Sequence, residues 1–246
     1  MLRGSGFASW LARALPAALA ICLAACETTS QSAPSAPTSS GAGVGVKSGT
    51  FTTSDGVKLN YLEVGSGKPL VMIPGWSQTA AQFKHQLSGL SSKYHVIAID
   101  MRGHGGSDAP PGAYTMQKLA GDVLCVLDSL ELKTVDFCGL SIGGGIGQHL
   151  GIHHADRMSG LILCDTQAAS FKDALTRWGG RIETILAANS MEPIADATMG
   201  RWLSTGYKAR HPVRWRQVRG MVTATTLQGY IGCAAALQNF NFLADL

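Results

Sequence analysis

The chain has 246 residues, 46% of them hydrophobic, and a formal net charge of +4. Residues 171–220 hold nine Lys and Arg against four acids, while residues 1–170 balance at eleven each, so the basic excess is local. No aromatic residues run in register with those cations, which counts against a nucleic-acid partner, and the six cysteines show no CxxC spacing, which counts against a metal cluster or a disulfide framework.

In chain order, Arg3 and Arg13 accompany an apolar stretch at 14–25. That stretch is shorter than the roughly 20 residues a bilayer span needs, so residues 1–26 read as a signal peptide. The segment ends Leu23-Ala24-Ala25-Cys26, which resembles a bacterial lipobox. The resemblance implies a lipid on Cys26 and export to the bacterial cell envelope, with a membrane contact through that anchor on the periplasmic side. An ordinary secretory signal cleaved nearby is the alternative. Residues 27–49 are almost wholly Ser, Thr, Ala, Pro and Gly. They carry too little apolar surface to offset the entropy of ordering and read as a flexible linker.

Residues 50–53 and 57–64 flank Ser54-Asp55-Gly56 and read as a hairpin. The short apolar runs at 70–74, 95–99, 135–140 and 161–164 read as buried parallel strands. Helical patterns lie between them at 79–90, at 116–130 (Leu119, Val123, Val126, Leu127, Leu130) and at 142–153. Strands alternating with helices specify an α/β fold, a mostly parallel sheet with helices on both faces. Residues 50–169 form this core. Residues 170–235 show only helical patterns and read as a cap over the carboxyl ends of the strands, and 236–246 as the start of a return to the core. Cys125, Cys138, Cys164 and Cys233 sit inside these patterns and read as small buried hydrophobes, an oxidised pair being the alternative. No phosphate-binding glycine motif with its lysine occurs, so neither a cofactor nor a metal is expected.

At the end of the third of these strands stands Gly139-Leu140-Ser141-Ile142-Gly143. This is a nucleophile-elbow pattern, in which a serine on a sharp strand-to-helix turn exposes its hydroxyl and glycines permit close backbone approach. The following helix aims free N–H groups and its positive dipole end at the same spot. With Pro74-Gly75-Trp76 and the run Asp100-Met101-Arg102-Gly103-His104-Gly105-Gly106-Ser107, the elbow resembles the α/β-hydrolase superfamily. Residues 137–154, 181–212 and 229–240 are similar to 3-oxoadipate enol-lactonases. The resemblance implies Ser141 as nucleophile and the backbone N–H groups of Trp76 and Ile142 as oxyanion donors. Pro74 stands where many relatives have His, a change that backbone donors tolerate. The implied reaction is hydrolysis of a small carboxylate-bearing ester or lactone, with Trp178, Arg181, Arg201 and Trp202 as cap residues facing the anionic group. The alternatives are a general esterase, a perhydrolase or haloperoxidase-like enzyme, and a non-catalytic lipid-anchored binding protein on the same fold.

A serine nucleophile needs a general base, usually an imidazole oriented by a carboxylate. The family places that acid after a further strand and the histidine later still. Residues up to Leu246 hold neither, so the resemblance implies an incomplete form with the final strands missing and little activity. His149 lies eight residues past Ser141 on one helix, about 12 Å along its axis. His153 and His154 are further away, His85 and His95 lie at the far ends of their elements, and His211 belongs to the cap. His104 is on the correct face but its loop reads as structural. Asp165 is an alternative acid or a strand-end cap, and Asp100 a loop-fixing carboxylate. Without later strands the run 161–164 becomes an exposed apolar edge, which makes 50–246 prone to aggregate.

Overall fold

The computed structural model describes residues 45–246. The signal peptide, Cys26 and linker residues 27–44 lie outside the described residues. Six strands form one sheet: β1 (Lys47–Thr52), β2 (Lys58–Val64), β3 (Lys68–Ile73), β4 (Tyr94–Ile99), β5 (Val135–Leu140) and β6 (Met158–Cys164), in the order β1-β2-β4-β3-β5-β6. β1 and β2 pair antiparallel, as do β2 and β4, and the remaining pairings are parallel.

The central strands are apolar throughout because both faces are covered. Period-two alternation sends Leu70, Met72, Val96 and Ala98 to one face, where Phe83 and Leu87 pack. It sends Val71, Ile73, Ile97 and Ile99 to the other, against Leu119, Val123, Ile142 and Ile146. Helix α1 (Lys84–Leu90) thus covers the first face, and α2 (Met116–Ser129) and α3 (Ile142–His153) the second. From β3 the chain winds out to β4, then crosses back over β3 to β5. Connections after β3 and β5 therefore leave on opposite faces, and a crevice opens at their carboxyl ends, where open α/β sheets hold ligands.

Beyond β6 come α4 (Ala174–Ala188), α5 (Glu192–Trp202), α6 (Tyr207–Arg210), α7 (Pro212–Ala224) and α8 (Leu227–Gln238). They share a small core of their own, including Ile185, Ile194, Met199, Val218, Val222 and Tyr230. Helix α8 fastens this layer to the sheet. Its Cys233, Ala236 and Leu237 join the larger core cluster. Its N-cap Thr226 accepts from the Gly229 amide and donates to the Gly103 carbonyl, both at 3.0 Å. Gly103, at φ +80°, and Gly229 meet backbone to backbone, and a Cβ on either would overlap the other. The chain then returns to the end of β6, with the Phe242 amide on the Ala168 carbonyl at 2.7 Å.

Several boundaries differ from the sequence reading. β1 begins at Lys47, inside the stretch read as linker, because Gly49 pairs opposite Tyr61 and lies beneath its ring. β6 begins at Met158, ahead of its apolar run, since the ladder to β5 continues through Gly160 and Met158 across a register shift at Ser159, whose hydroxyl donates to Asp136 at 2.8 Å. The helix expected at 79–90 divides into a 3₁₀ turn, Ala80–Phe83, and α1. The helices of the cap continue to Gln238. Of the four cysteines read as buried hydrophobes only Cys233 is fully buried; Cys125, Cys138 and Cys164 are half-buried, and all four are free thiols.

Among the described residues no strand pairs with the outer edge of β6, where Leu161, Ile162 and Leu163 are 38%, 55% and 40% exposed. Such an edge templates self-pairing and a lysine blunts it. Ile162→Lys should therefore slow aggregation in light scattering while leaving the melting temperature unchanged. Gly229→Ala forces a methyl against the Gly103 backbone and should cost about 1–3 kcal/mol in urea unfolding.

Candidate active site

The turn from β5 into α3 sets Ser141 at φ 54°, ψ −114°, a conformation that side chains other than glycine rarely adopt. Holding a residue there costs on the order of 1–3 kcal/mol. Three hydrogen bonds on its backbone hold it. The Ser141 amide donates to the Cys164 carbonyl at 2.9 Å, and its carbonyl accepts from the Gly145 amide at 3.1 Å and the Thr166 hydroxyl at 2.8 Å. A Cβ on Gly139 would overlap the Gly143 carbonyl, and one on Gly143 would press on the carbonyls of Ile73 and Pro74. The two glycines thus let β5, α3 and the end of β3 converge on one serine. Its hydroxyl has no hydrogen-bond partner among the described residues and lines a cavity of about 680 Å³.

The loop after β3 faces the same cavity. Pro74 has no amide hydrogen. The Gly75 amide donates to Gln78 Oε1 at 3.0 Å, the Ser77 amide to His104 Nε2 at 3.1 Å and the Gln78 amide to the Gly75 carbonyl at 3.1 Å. In this run only the Trp76 amide has no acceptor among the described residues. The Ile142 amide, first in α3, has none either, as the opening N–H groups of a helix must look outside it. Two free donors therefore stand beside the one serine.

What shapes this loop is the segment after β4. Asp100, 3% exposed, accepts from the Ala80 amide at 2.6 Å, the Gly106 amide at 3.0 Å and Asn60 Nδ2 at 2.7 Å. Burial still raises its pKa, with those donors opposing the shift. His104, 1% exposed, donates from Nδ1 to the Arg102 carbonyl at 3.1 Å, which leaves Nε2 as the acceptor for Ser77. Burial pushes its pKa down to about 4. His104 is therefore a neutral strut of the loop with both nitrogens occupied, and it makes no contact with Ser141. Arg102, also buried, is bound by Asp122 through two guanidinium nitrogens and reaches Asp55 at 3.2 Å, which fixes the start of the segment.

The other histidines lie elsewhere. His149 packs at a tilt against His153, with ring centroids 4.4 Å apart, and against Phe242 at 6.0 Å, towards the far end of α3. His95 pairs with Glu63 at 2.9 Å, and His211 stacks on Tyr207. Asp165, at φ 44° after β6, lines the cavity and is its one carboxylate among the described residues.

The cap supplies the roof. Trp178, Arg181, Arg201 and Trp202 all line the cavity that holds Ser141, Trp76 and Ile142. Trp76 stacks on Tyr230 with centroids 4.1 Å apart and meets Trp178 edge-on at 5.7 Å. Trp178 is 5% exposed, so it is both packing core and wall, while Trp202 stands at the rim, 37% exposed. Arg201 donates to the Ala197 carbonyl at 3.1 Å and the Thr198 hydroxyl at 2.7 Å. Neither Arg181 nor Arg201 has a carboxylate partner among the described residues. Burial lowers the Arg201 pKa, and the charge of Arg181 lowers it further. Burial raises the Tyr230 hydroxyl, with Arg181 and Arg201 opposing the shift. Two guanidinium groups without a carboxylate beside them thus line the cavity under a hydrophobic roof. Sequence reasoning missed Tyr230 and Gln78, because nothing in the pattern of α8 or of the loop distinguishes them.

Comparison with known proteins follows this geometry. A sequence family described as the alpha/beta hydrolase fold matches residues 68–197. The 3-oxoadipate enol-lactonase 2 of Acinetobacter baylyi is 32% identical over 190 residues, 76% of this chain and 70% of that protein. A non-heme chloroperoxidase of Streptomyces lividans is 29% identical over 80% of this chain and 76% of its own. Among solved structures, the enol-lactonase from Burkholderia xenovorans LB400 superposes with a TM-score of 0.76 at 30% identity, covering 80% of this chain and 76% of that one.

His104 also makes the loop sensitive to acid. Its value in the fold, about 4, lies below the ordinary 6.5, so the unfolded chain takes up the proton first as pH falls. Stability from this group is complete above pH 6.5 and is lost towards pH 4, on the order of 3 kcal/mol in all. His149, also lowered to about 4, adds to the same slope. Urea unfolding across pH 4–7 should therefore show a shallower decline in His104→Gln than in the wild type.

Proposed function

The chain belongs to the alpha/beta hydrolase fold family, and on that premise we propose that it is a serine hydrolase of small carboxylate-bearing esters or lactones, resembling an enol-lactonase in its substrate. The observation that carries this reading is the pairing of Ser141 with Arg181 and Arg201 across one cavity. Ser141 Oγ attacks the acyl carbon while the Trp76 and Ile142 amides hold the oxygen as it gains charge. Donors of this kind are typically worth about 3 kcal/mol each in the transition state. The arginines hold the substrate carboxylate, and the stacked Trp76 and Tyr230 present an apolar wall to the ring. The acyl C–O bond breaks as the acyl-enzyme forms, the alkoxide or enolate oxygen takes up a proton (departing from an ester, staying tethered to the acyl chain in an opened lactone), and water then releases the acid. No histidine among the described residues contacts Ser141, so its proton needs an acceptor from elsewhere. The names of two relatives support the substrate class: 3-oxoadipate enol-lactonase 2 and the Burkholderia enol-lactonase. The chloroperoxidase relative favours a second reading, in which peroxide replaces water as acyl acceptor. We also propose that the chain is exported and lipid-anchored through Cys26, which a Cys26→Ser variant labelled with radioactive palmitate tests directly.

For the catalytic reading, the full chain is treated with a fluorophosphonate probe, with and without free imidazole as a surrogate base. Labelling should fall on Ser141, rise with imidazole and vanish in Ser141→Ala. No label under either condition sinks the enzyme reading in favour of a binding protein. Turnover of lactones with and without a free carboxylate then tests the cap. Arg181→Gln and Arg201→Gln should each raise KM for the charged lactone about 10-fold or more and leave the uncharged one unaffected. Equal effects on both substrates would instead favour the general esterase or perhydrolase.

A further inference from the structure

Between Asp196 and Asp245 the chain has no acidic residue, yet it carries Arg201, Lys208, Arg210, Arg214, Arg216 and Arg219. Their placement separates three tasks. Arg201 belongs to the cavity. Arg219 is consumed by Glu192 and Asp196 at 2.7 and 2.6 Å, and Arg214 donates to the Gln82 carbonyl at 3.1 Å and so pins α7 to the 3₁₀ turn before α1. Lys208 lies over the Trp215 ring at 4.2 Å, close enough to Asp196 to lower its pKa. Arg210 and Arg216 have no carboxylate partner among the described residues, and both are exposed. The exposed stripe of α7 runs Val213, Arg216, Gln217 and Gly220, with Val213 60% exposed. Arg210 stands just before its first turn. From the core, Lys84 reaches the same stripe and donates to Gln217 at 3.3 Å. Lys84, Arg210 and Arg216, from two layers of the fold and none with a carboxylate partner among the described residues, thus share an edge with an exposed apolar side chain.

We infer that this edge, formed by Lys84, Arg210, Val213 and Arg216, docks the domain on an anionic phospholipid surface. Phosphate headgroups attract the cations, and the exposed valine enters the interface between headgroups and acyl chains. A nucleic acid fits less well, because the stripe offers no exposed ring on which a base can stack. Surface attraction of this kind is weak for each residue, about fivefold in partitioning per cation, and requires low salt. The docking stands whether or not Cys26 carries a lipid.

The test is sedimentation of the full chain with vesicles of phosphatidylcholine alone or with about a third phosphatidylglycerol; the N-terminal segment, with its Arg3 and Arg13, is common to wild type and variants, so the comparison between them removes its contribution. The ratio of binding, anionic to neutral vesicles, should exceed tenfold at low salt and collapse in 0.5 M NaCl. The triple variant Lys84→Gln/Arg210→Gln/Arg216→Gln should bring it to within about twofold of unity with an unchanged melting temperature. A control variant removing equal charge elsewhere, Lys47→Gln/Lys93→Gln/Lys133→Gln, should keep most of it. Equal loss in the two variants would reduce the effect to net charge and overturn the assignment. So would a wild-type ratio near unity, or retention on duplex DNA without vesicle binding.

Discussion

Three backbone segments meet at Ser141 more closely than side chains permit, and the site depends on that approach. Gly139 lies under the carbonyl of Gly143, and Gly143 lies under the carbonyls of Ile73 and Pro74. With a Cβ at either place, β5, α3 and the loop after β3 would have to separate. The unusual backbone of Ser141 would then lose its supports, the Cys164 carbonyl and the Thr166 hydroxyl. The contact is steric, but its product is electrostatic. It brings the first amide of one helix and one amide of a neighbouring loop to the wall of the same cavity, with no acceptor for either among the described residues. Donors fixed in this way need no reorganisation when negative charge develops.

The second half of that arrangement is built from a distance. The loop carrying Trp76 has no regular structure of its own, and its shape is imposed by groups after β4. Asp100 gathers donors from β2, from the turn at Ala80 and from Gly106. His104, kept neutral by burial, accepts from Ser77. The same segment, through Gly103, receives the N-terminus of α8. One short stretch of polar residues and glycines thus couples the loop carrying Trp76 to the cap. The polar groups are buried, and each is satisfied, which is the condition under which such a network is rigid.

Above this frame the cap divides its charge. Arginines facing the cavity, 181 and 201, have no carboxylate partner among the described residues, whereas Arg219 is fully engaged in holding α5 to α7. Arg216, facing outward on α7, has no carboxylate partner among the described residues, and neither does Arg210 just before it.

The sequence by itself determined the alternation of strand and helix, the position of the elbow and the helical character of the cap. Apolar runs such as 70–73 and 96–99 and the 3.6-residue spacing of α2 are properties of neighbours along the chain, and the glycine requirement at 139 and 143 is local in the same sense. It also showed that His149 is too far from Ser141, since a helix has a fixed rise. Tertiary structure alone decided the rest. The start of β6 at Met158 follows from its ladder to β5, not from its own composition. That Trp76 has the free amide of its loop depends on His104, 27 residues from Ser77 along the chain, taking the next one. Arg181 and Arg201 lie on different helices, and only the packing of α4, α5 and α8 makes them neighbours without a counter-charge. Local patterns record what a segment will become; hydrogen-bond vacancies and uncompensated charge are relations between segments, and they exist only once the segments are packed.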